Sequence, residues 1–154
     1  MDIEARLAEL GLELPPVPEA VANYISGVVV GEVLFLSGTI GKIRDKLVHQ
    51  GKLGAELTVE EGYASARLCT LNHMAMAKAV LGDLDRIVRA VRLVGYVNSA
   101  PGFKEAPWVV NGASDLLVEL LGEERGRHAR AALNVNELTF DAPVETVLTL
   151  QVRG

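Results

Sequence analysis

Two runs rich in β-branched and large apolar residues, Tyr24-Ile25-Ser26-Gly27-Val28-Val29-Val30 and Val33-Leu34-Phe35-Leu36-Ser37, are separated by only Gly31-Glu32. A glycine-led pair between such runs marks a tight β-hairpin, because glycine takes the positive φ required at the first central position of a type II′ turn. A hairpin is marginal alone and must lay one face on other elements. The next of these is announced at Thr58-Val59-Glu60-Glu61, a capping box that opens a long helix running to about Leu81. Tyr63, Ala66, Leu68, Leu71, Ala75, Met76, Ala77 and Val80 give that helix a wide apolar face, as expected of a helix packed on a sheet.

Around this centre the other elements follow in order. Ile3, Leu7, Leu10 and Leu14 recur at helical spacing until Gly11 and Pro15-Pro16 stop the pattern, which predicts a short N-terminal helical extension over residues 1–17. Ser37-Gly38-Thr39-Ile40-Gly41 is a small-residue bend, and residues 42–56 read as an exposed loop. Arg86 to Val97 reads as a largely buried strand. Phe103 to Pro107 reads as a loop and Trp108 to Leu121 as a second amphipathic helix ended by Gly122. Two further β-prone runs close the chain, Arg127 to Val135 and Val144 to Leu150, joined by a polar connection through Asp141-Ala142-Pro143 and readable as neighbouring antiparallel strands. The predicted fold class is α+β, a mixed sheet with two helices on one face, in one domain spanning 1–154. The other face of such a sheet would carry Val, Leu and Thr in water, and an apolar patch of that kind marks a partner surface. A homo-oligomer is the simplest partner.

Composition narrows the function. Apolar residues make up 49% of the chain and aromatics 5%, so the core is aliphatic, and the formal net charge of −5 argues against general nucleic-acid binding, which needs clustered cations. The single Cys69 can form neither an internal disulfide nor a cysteine metal cluster, which fits a reducing cytosol. The acidic first residues and the lack of any run of about eighteen apolar residues indicate neither export nor a membrane span. His49, His73 and His128 show no metal-ligand spacing. His73 reads as structural and Cys69 as a small buried hydrophobe. Arg130, beside small and apolar residues, could be a locally paired strand residue or a fork that grips a carboxylate in two parallel bonds. Glu145 could face solvent, or it could orient a water beside that cation.

The segments Asn23-Tyr24-Ile25-Ser26-Gly27, Leu36-Ser37-Gly38-Thr39-Ile40-Gly41, and Ala129-Arg130-Ala131-Ala132-Leu133-Asn134-Val135 followed by Val144-Glu145 resemble the Rid family of reactive intermediate deaminases. It is also called YjgF and, historically, endoribonuclease L-PSP. The resemblance spans roughly residues 18–152. It implies a chorismate mutase-like α+β fold, a homotrimer with sites in clefts between subunits, and hydrolysis of 2-imino acids or enamines to 2-oxo acids and ammonia. No cofactor or metal is implied, because a protonated imine carbon is already electrophilic and needs only orientation beside a water. Carried over by position, Arg130 would hold the substrate carboxylate and Glu145 would position the attacking water. Tyr24, Ser37, Gly38 and Asn111 would line the pocket. Ala132 stands where relatives carry a cysteine, so thiol-dependent behaviour should be missing. The longer loops at 42–56 and 100–107 mark a divergent subgroup. A carboxylate-binding regulatory trimer without turnover and an endoribonuclease or translation inhibitor remain the alternatives.

Overall fold

The computed structural model describes residues 2–154. Helix α1 (Ile3–Glu9) is capped by Asp2, whose side chain accepts from the Ala5 amide, and Ile3 and Leu7 enter the core. Strands β1 (Gly27–Val30) and β2 (Val33–Leu36) form the expected hairpin, with Gly31 at φ +59° and Glu32 outside the positive-φ region, as a type II′ turn demands. Tyr24 to Ser26 precede the strand instead of belonging to it. After the bend come β3 (Thr39–Ile40) and a small hairpin of β4 (Lys42–Ile43) and β5 (Lys46–Leu47) inside the segment predicted to be loop. Helix α2 (Val59–Leu81) carries the full capping box at Thr58 and Glu61 and ends on Gly82 in the left-handed region at φ +81°.

Strand β6 (Ile87–Asn98) is followed by α3 (Ala106–Leu121), the single-turn α4 (Glu123–Gly126), β7 (Ala129–Val135) and β8 (Val144–Val152). Helix α3 starts two residues before Trp108, because Pro107 in its first turn has no amide that the helix needs. The sheet runs in the order β1-β2-β8-β6-β7, with β3 added to β8. One expectation fails here. β7 and β8 are not neighbours: β6 lies between them, parallel to β7 and antiparallel to β8. The reason is the connection that precedes β7. A parallel pair needs a crossover, and α3 with α4 supplies it, carrying the chain from β6 to the far edge so that β8 must return on the other side.

Helices α2 and α3 cover one face of the sheet, meeting β6 and β8 residues such as Leu93, Val97, Leu148 and Leu150 in an aliphatic core. Two glycines set how closely α3 approaches. A Cβ on Gly112 would sit 2.0 Å from the Tyr63 carbonyl oxygen of α2, and one on Gly95 would sit 2.5 Å from Val110 Cγ2 of α3. The opposite face has no cover among the described residues. Val28, Val30, Phe35 and Leu133 stand exposed there, Val30 and Phe35 with more than half their surface in water.

Cys69 and His73 of α2 are fully buried, as expected, and His73 Nε2 lies 2.9 Å from Thr146 Oγ1 while its Nδ1 has no partner. Burial pushes the imidazole down to about 4. The folded state therefore holds His73 neutral, giving stability that is complete above pH 6.5 and is lost as pH falls from there toward 4. Between pH 6.5 and 5 the unfolding free energy should fall by roughly 1.5 kcal/mol, most of it through His73. Urea titrations across that range, with the His73 ring followed by NMR, check this; a ring that protonates near pH 6.5 would contradict it.

Candidate functional site

The predicted site residues form two separate groups. Arg130 and Ala132 lie on β7, the outer edge strand, in register with Leu93 and Gly95 of β6. Leu93 is buried under the helices, so Arg130 and Ala132 point to the helix-covered side. There Ala132 packs against the core and Arg130 lies across the start of α3. Its Nη1 donates to Asn111 Oδ1 at 2.7 Å and to Ser114 Oγ at 3.2 Å, and its Nη2 donates to the Pro107 carbonyl at 3.3 Å. All three acceptors are neutral. Among the described residues no carboxylate forms an ion pair with this guanidinium.

The unspent donors decide what Arg130 can do. Nη1 donates twice and Nη2 once, while Nε–H has no partner among the described residues. Nε and Nη2 share one edge of the planar group, the edge that binds a carboxylate through two parallel hydrogen bonds. Desolvation lowers the guanidinium below its usual pKa, with Asp115 acting in the opposite sense. It remains a cation.

The second group sits two strands away and on the other face. Glu145 of β8 pairs with Tyr96 of β6, whose side chain has the opposite parity to Leu93, so the carboxylate points to the uncovered side. Together with Tyr24, Ser26, Gly38, Ile40 and Phe140 it lines a cavity of about 240 Å³. A second lobe of about 560 Å³ adjoins it through Val21, Ile40, Lys42 and Phe140. Gly38 lets the carboxylate approach, since a Cβ there would lie 3.3 Å from Glu145 Cδ. Ser37 braces the wall from behind, its hydroxyl donating to the Ile25 carbonyl at 2.5 Å. Glu145 has no hydrogen bond or ion pair among the described residues, and burial raises its pKa.

Arg130 and Glu145 are therefore separated by two strand spacings, roughly 10 Å, and by the thickness of the sheet. They do not share a pocket within the chain. The reading of them as partners on adjacent antiparallel strands is corrected by the insertion of β6. Sequence reasoning also missed three residues. Phe140 exposes its ring at the cavity from a left-handed backbone, φ +58°, followed by Asp141 at φ +59°. That strained pair is held by a bond from Gln50 Nε2 to the Phe140 carbonyl, another from the Gly51 amide to the Asp141 carbonyl, and a third from Asn98 Nδ2 to Asp141 Oδ1. Ser114 and His128 stand behind Arg130. The signal for Ser114 was present, because Asn111 and Ser114 are spaced i, i+3 and share a helix face.

No three His, Cys, Asp or Glu side chains among the described residues come together as a metal site requires, and no helix is long and apolar enough to cross a membrane.

With this geometry the comparisons agree. Residues 4–145 match the family model described as "YjgF/chorismate mutase-like, putative endoribonuclease", reaching into the N-terminal helix. The chain belongs to this YjgF/chorismate mutase-like family. Protein TCP17 of Trypanosoma cruzi is 47% identical over 143 residues, 93% of this chain and 89% of that protein. A solved chain from Shewanella oneidensis, bearing the same endoribonuclease description, is 40% identical with a TM-score of 0.94, covering 99% of this chain and 100% of its own. The protein Atu1372 of Agrobacterium tumefaciens, described as of unknown function, is also 40% identical, with a TM-score of 0.90 over 98% of this chain and 92% of its own.

A carboxylate half-buried without partners destabilises the fold once ionised. The raised pKa means the fold favours the protonated acid, so the loss grows as pH rises out of the carboxylate range. Glu145→Gln is expected to raise the thermal midpoint at pH 7.5 by up to about 3 °C, with a smaller gain at pH 5. Calorimetry at the two pH values tests it, and a lower midpoint at pH 7.5 would contradict it.

Proposed function

We propose that the protein is a deaminase that hydrolyses reactive 2-imino acids, and the enamines that give rise to them, to 2-oxo acids and ammonia. It acts as a homotrimer with sites in the clefts between subunits. The observation that carries this reading is Arg130 at a sheet edge: a cation with no acid of its own, held by neutral acceptors and with its Nε–H unspent. The exposed apolar face supports assembly, since Val28, Val30, Phe35 and Leu133 need cover. The opposed placement of Arg130 and Glu145 supports a shared site, because only the cleft between two copies could bring one chain's guanidinium to another's carboxylate.

In such a cleft the substrate carboxylate lies on Arg130 and the iminium carbon faces a water held by Glu145 from the neighbouring copy. As the C–O bond forms, Glu145 takes the proton of the water; its raised pKa suits a group that must accept a proton and return it. The returned proton goes to nitrogen, the C–N bond breaks as Glu145 takes the remaining hydroxyl proton, and ammonia and the 2-oxo acid leave, that proton passing to ammonia or solvent. Tyr24 and Phe140 form the apolar wall. A protonated imine is reactive enough that orientation supplies most of the acceleration, and no metal or covalent nucleophile is needed.

The endoribonuclease description attached to the family has weaker physical support in this chain. The net charge is −5, and of the histidines that could share general acid–base work, His73 is fully buried. A carboxylate-binding protein without turnover is separated from a deaminase by the same assay. Ammonia release from freshly generated 2-iminopropanoate should exceed the spontaneous rate and fall at least about a hundredfold in Arg130→Ala. Equal rates in the two proteins would remove the proposal, and pyruvate binding that depends on Arg130 without ammonia release would favour the binding protein.

A further inference from the structure

Behind Arg130 lies a chain of hydrogen bonds that the reaction above does not use. His128 Nδ1 is 2.7 Å from the Gly126 carbonyl oxygen, so this nitrogen carries the proton. The neutral ring then offers Nε2 only as an acceptor, and the Ser114 hydroxyl, 2.9 Å away, donates to it. With its proton fixed, Ser114 Oγ turns lone pairs outward, and one accepts Nη1 of Arg130 at 3.2 Å. The order is Gly126 carbonyl, His128, Ser114, Arg130, with every donor and acceptor assigned. Ser114 and Asn111 both take bonds from Nη1, which leaves Nε–H without a partner among the described residues.

We propose that Ser114 and His128 are positioning residues for Arg130: they lock the guanidinium with its carboxylate-binding edge outward and couple the charge on the imidazole to occupancy of the anion site. This rests on the reading of Arg130 as a carboxylate clamp. The charged groups around His128 are Arg130 on β7, with Asp115 of α3 acting on it, Arg127 paired with Glu123 of α4, and Arg89 of β6, whose Nη2 donates to the Arg127 carbonyl at 3.1 Å. Arg130 is the one whose charge acts on the ring. Burial lowers the imidazole below its ordinary value most strongly, the Gly126 bond comes next and acts in the opposite sense, and the guanidinium lowers it further. A carboxylate on Arg130 neutralises that guanidinium, so it must raise the His128 pKa, and by linkage protonation of His128 must tighten carboxylate binding by the same factor.

Pyruvate is a suitable unreactive probe. Isothermal titration from pH 5 to 8 and NMR of the His128 ring, with and without saturating pyruvate, are applied to the intact protein and to S114A, S114T, H128N and R130A. Pyruvate is expected to raise the His128 pKa, and affinity to increase about fivefold as pH falls through it. Ser114→Ala should weaken binding at pH 7.5 about tenfold, and Ser114→Thr, which keeps the hydroxyl, should restore it. His128→Asn should abolish the part of the pH dependence that follows the His128 signal; a remainder belongs to Glu145, whose carboxyl burial holds above its ordinary value. A His128 pKa unmoved by pyruvate in a protein that binds it, or S114A and H128N proteins with unaltered affinity and profile beside an R130A protein that does not bind, overturns the inference and leaves the site reading intact. Undiminished binding by R130A overturns both.

Discussion

The course of β6 between β7 and β8 governs the molecule. Because α3 carries the chain from β6 to an outer parallel strand, β7 sits at the sheet edge with its inward-facing side chains against the start of that helix. Gly95 and Gly112 allow α3 to lie directly on β6 and α2, where any side chain would overlap a neighbour. An Arg on β7 then finds Pro107, Asn111 and Ser114 beneath it at fixed heights. The guanidinium is ordered by neutral groups, which hold it without cancelling its charge.

The same topology keeps Glu145 away. β8 returns on the other side of β6, and its alternation sends Val144 and Thr146 toward the helices and Glu145 toward the uncovered face. Arg130 keeps its charge because only neutral groups hold it, and a half-buried Glu145 without partners is unfavourable once ionised; in the proposed site a second copy brings the two together. An apolar face on the same sheet gives a second copy a reason to dock.

Much of this was legible in the chain because its signals are local. The Gly31-Glu32 hairpin, the Thr58 and Glu61 box and the Gly82 and Gly122 stops each depend on a few adjacent residues, and each stands in the structure as the sequence implied. The placement of β7 beside β6 was not legible, since a polar connection of eight residues before β8 looks like a hairpin loop until the α3 crossover is taken into account. Phe140 was missed because its left-handed backbone is imposed from outside, by Gln50, Gly51 and Asn98, and nothing in Leu138-Thr139-Phe140-Asp141 announces it. Asn111 was expected in the pocket lining from resemblance, but its bond to Arg130 and the hydrogen-bond chain through Ser114 and His128 required coordinates. Family membership agrees with the fold, while the chemistry of the cleft rests on the residues described above.

The central claim, that one functional site is assembled from two chains, has a direct test in subunit complementation. Arg130→Ala and Glu145→Gln chains, each inactive alone, are mixed under conditions where exchange is verified by mass, and ammonia release is measured. A ring in which each cleft joins one chain's Arg130 to its neighbour's Glu145 predicts recovery of about a quarter of the sites at equal mixing. Full exchange without any recovered activity would contradict a site divided between protomers.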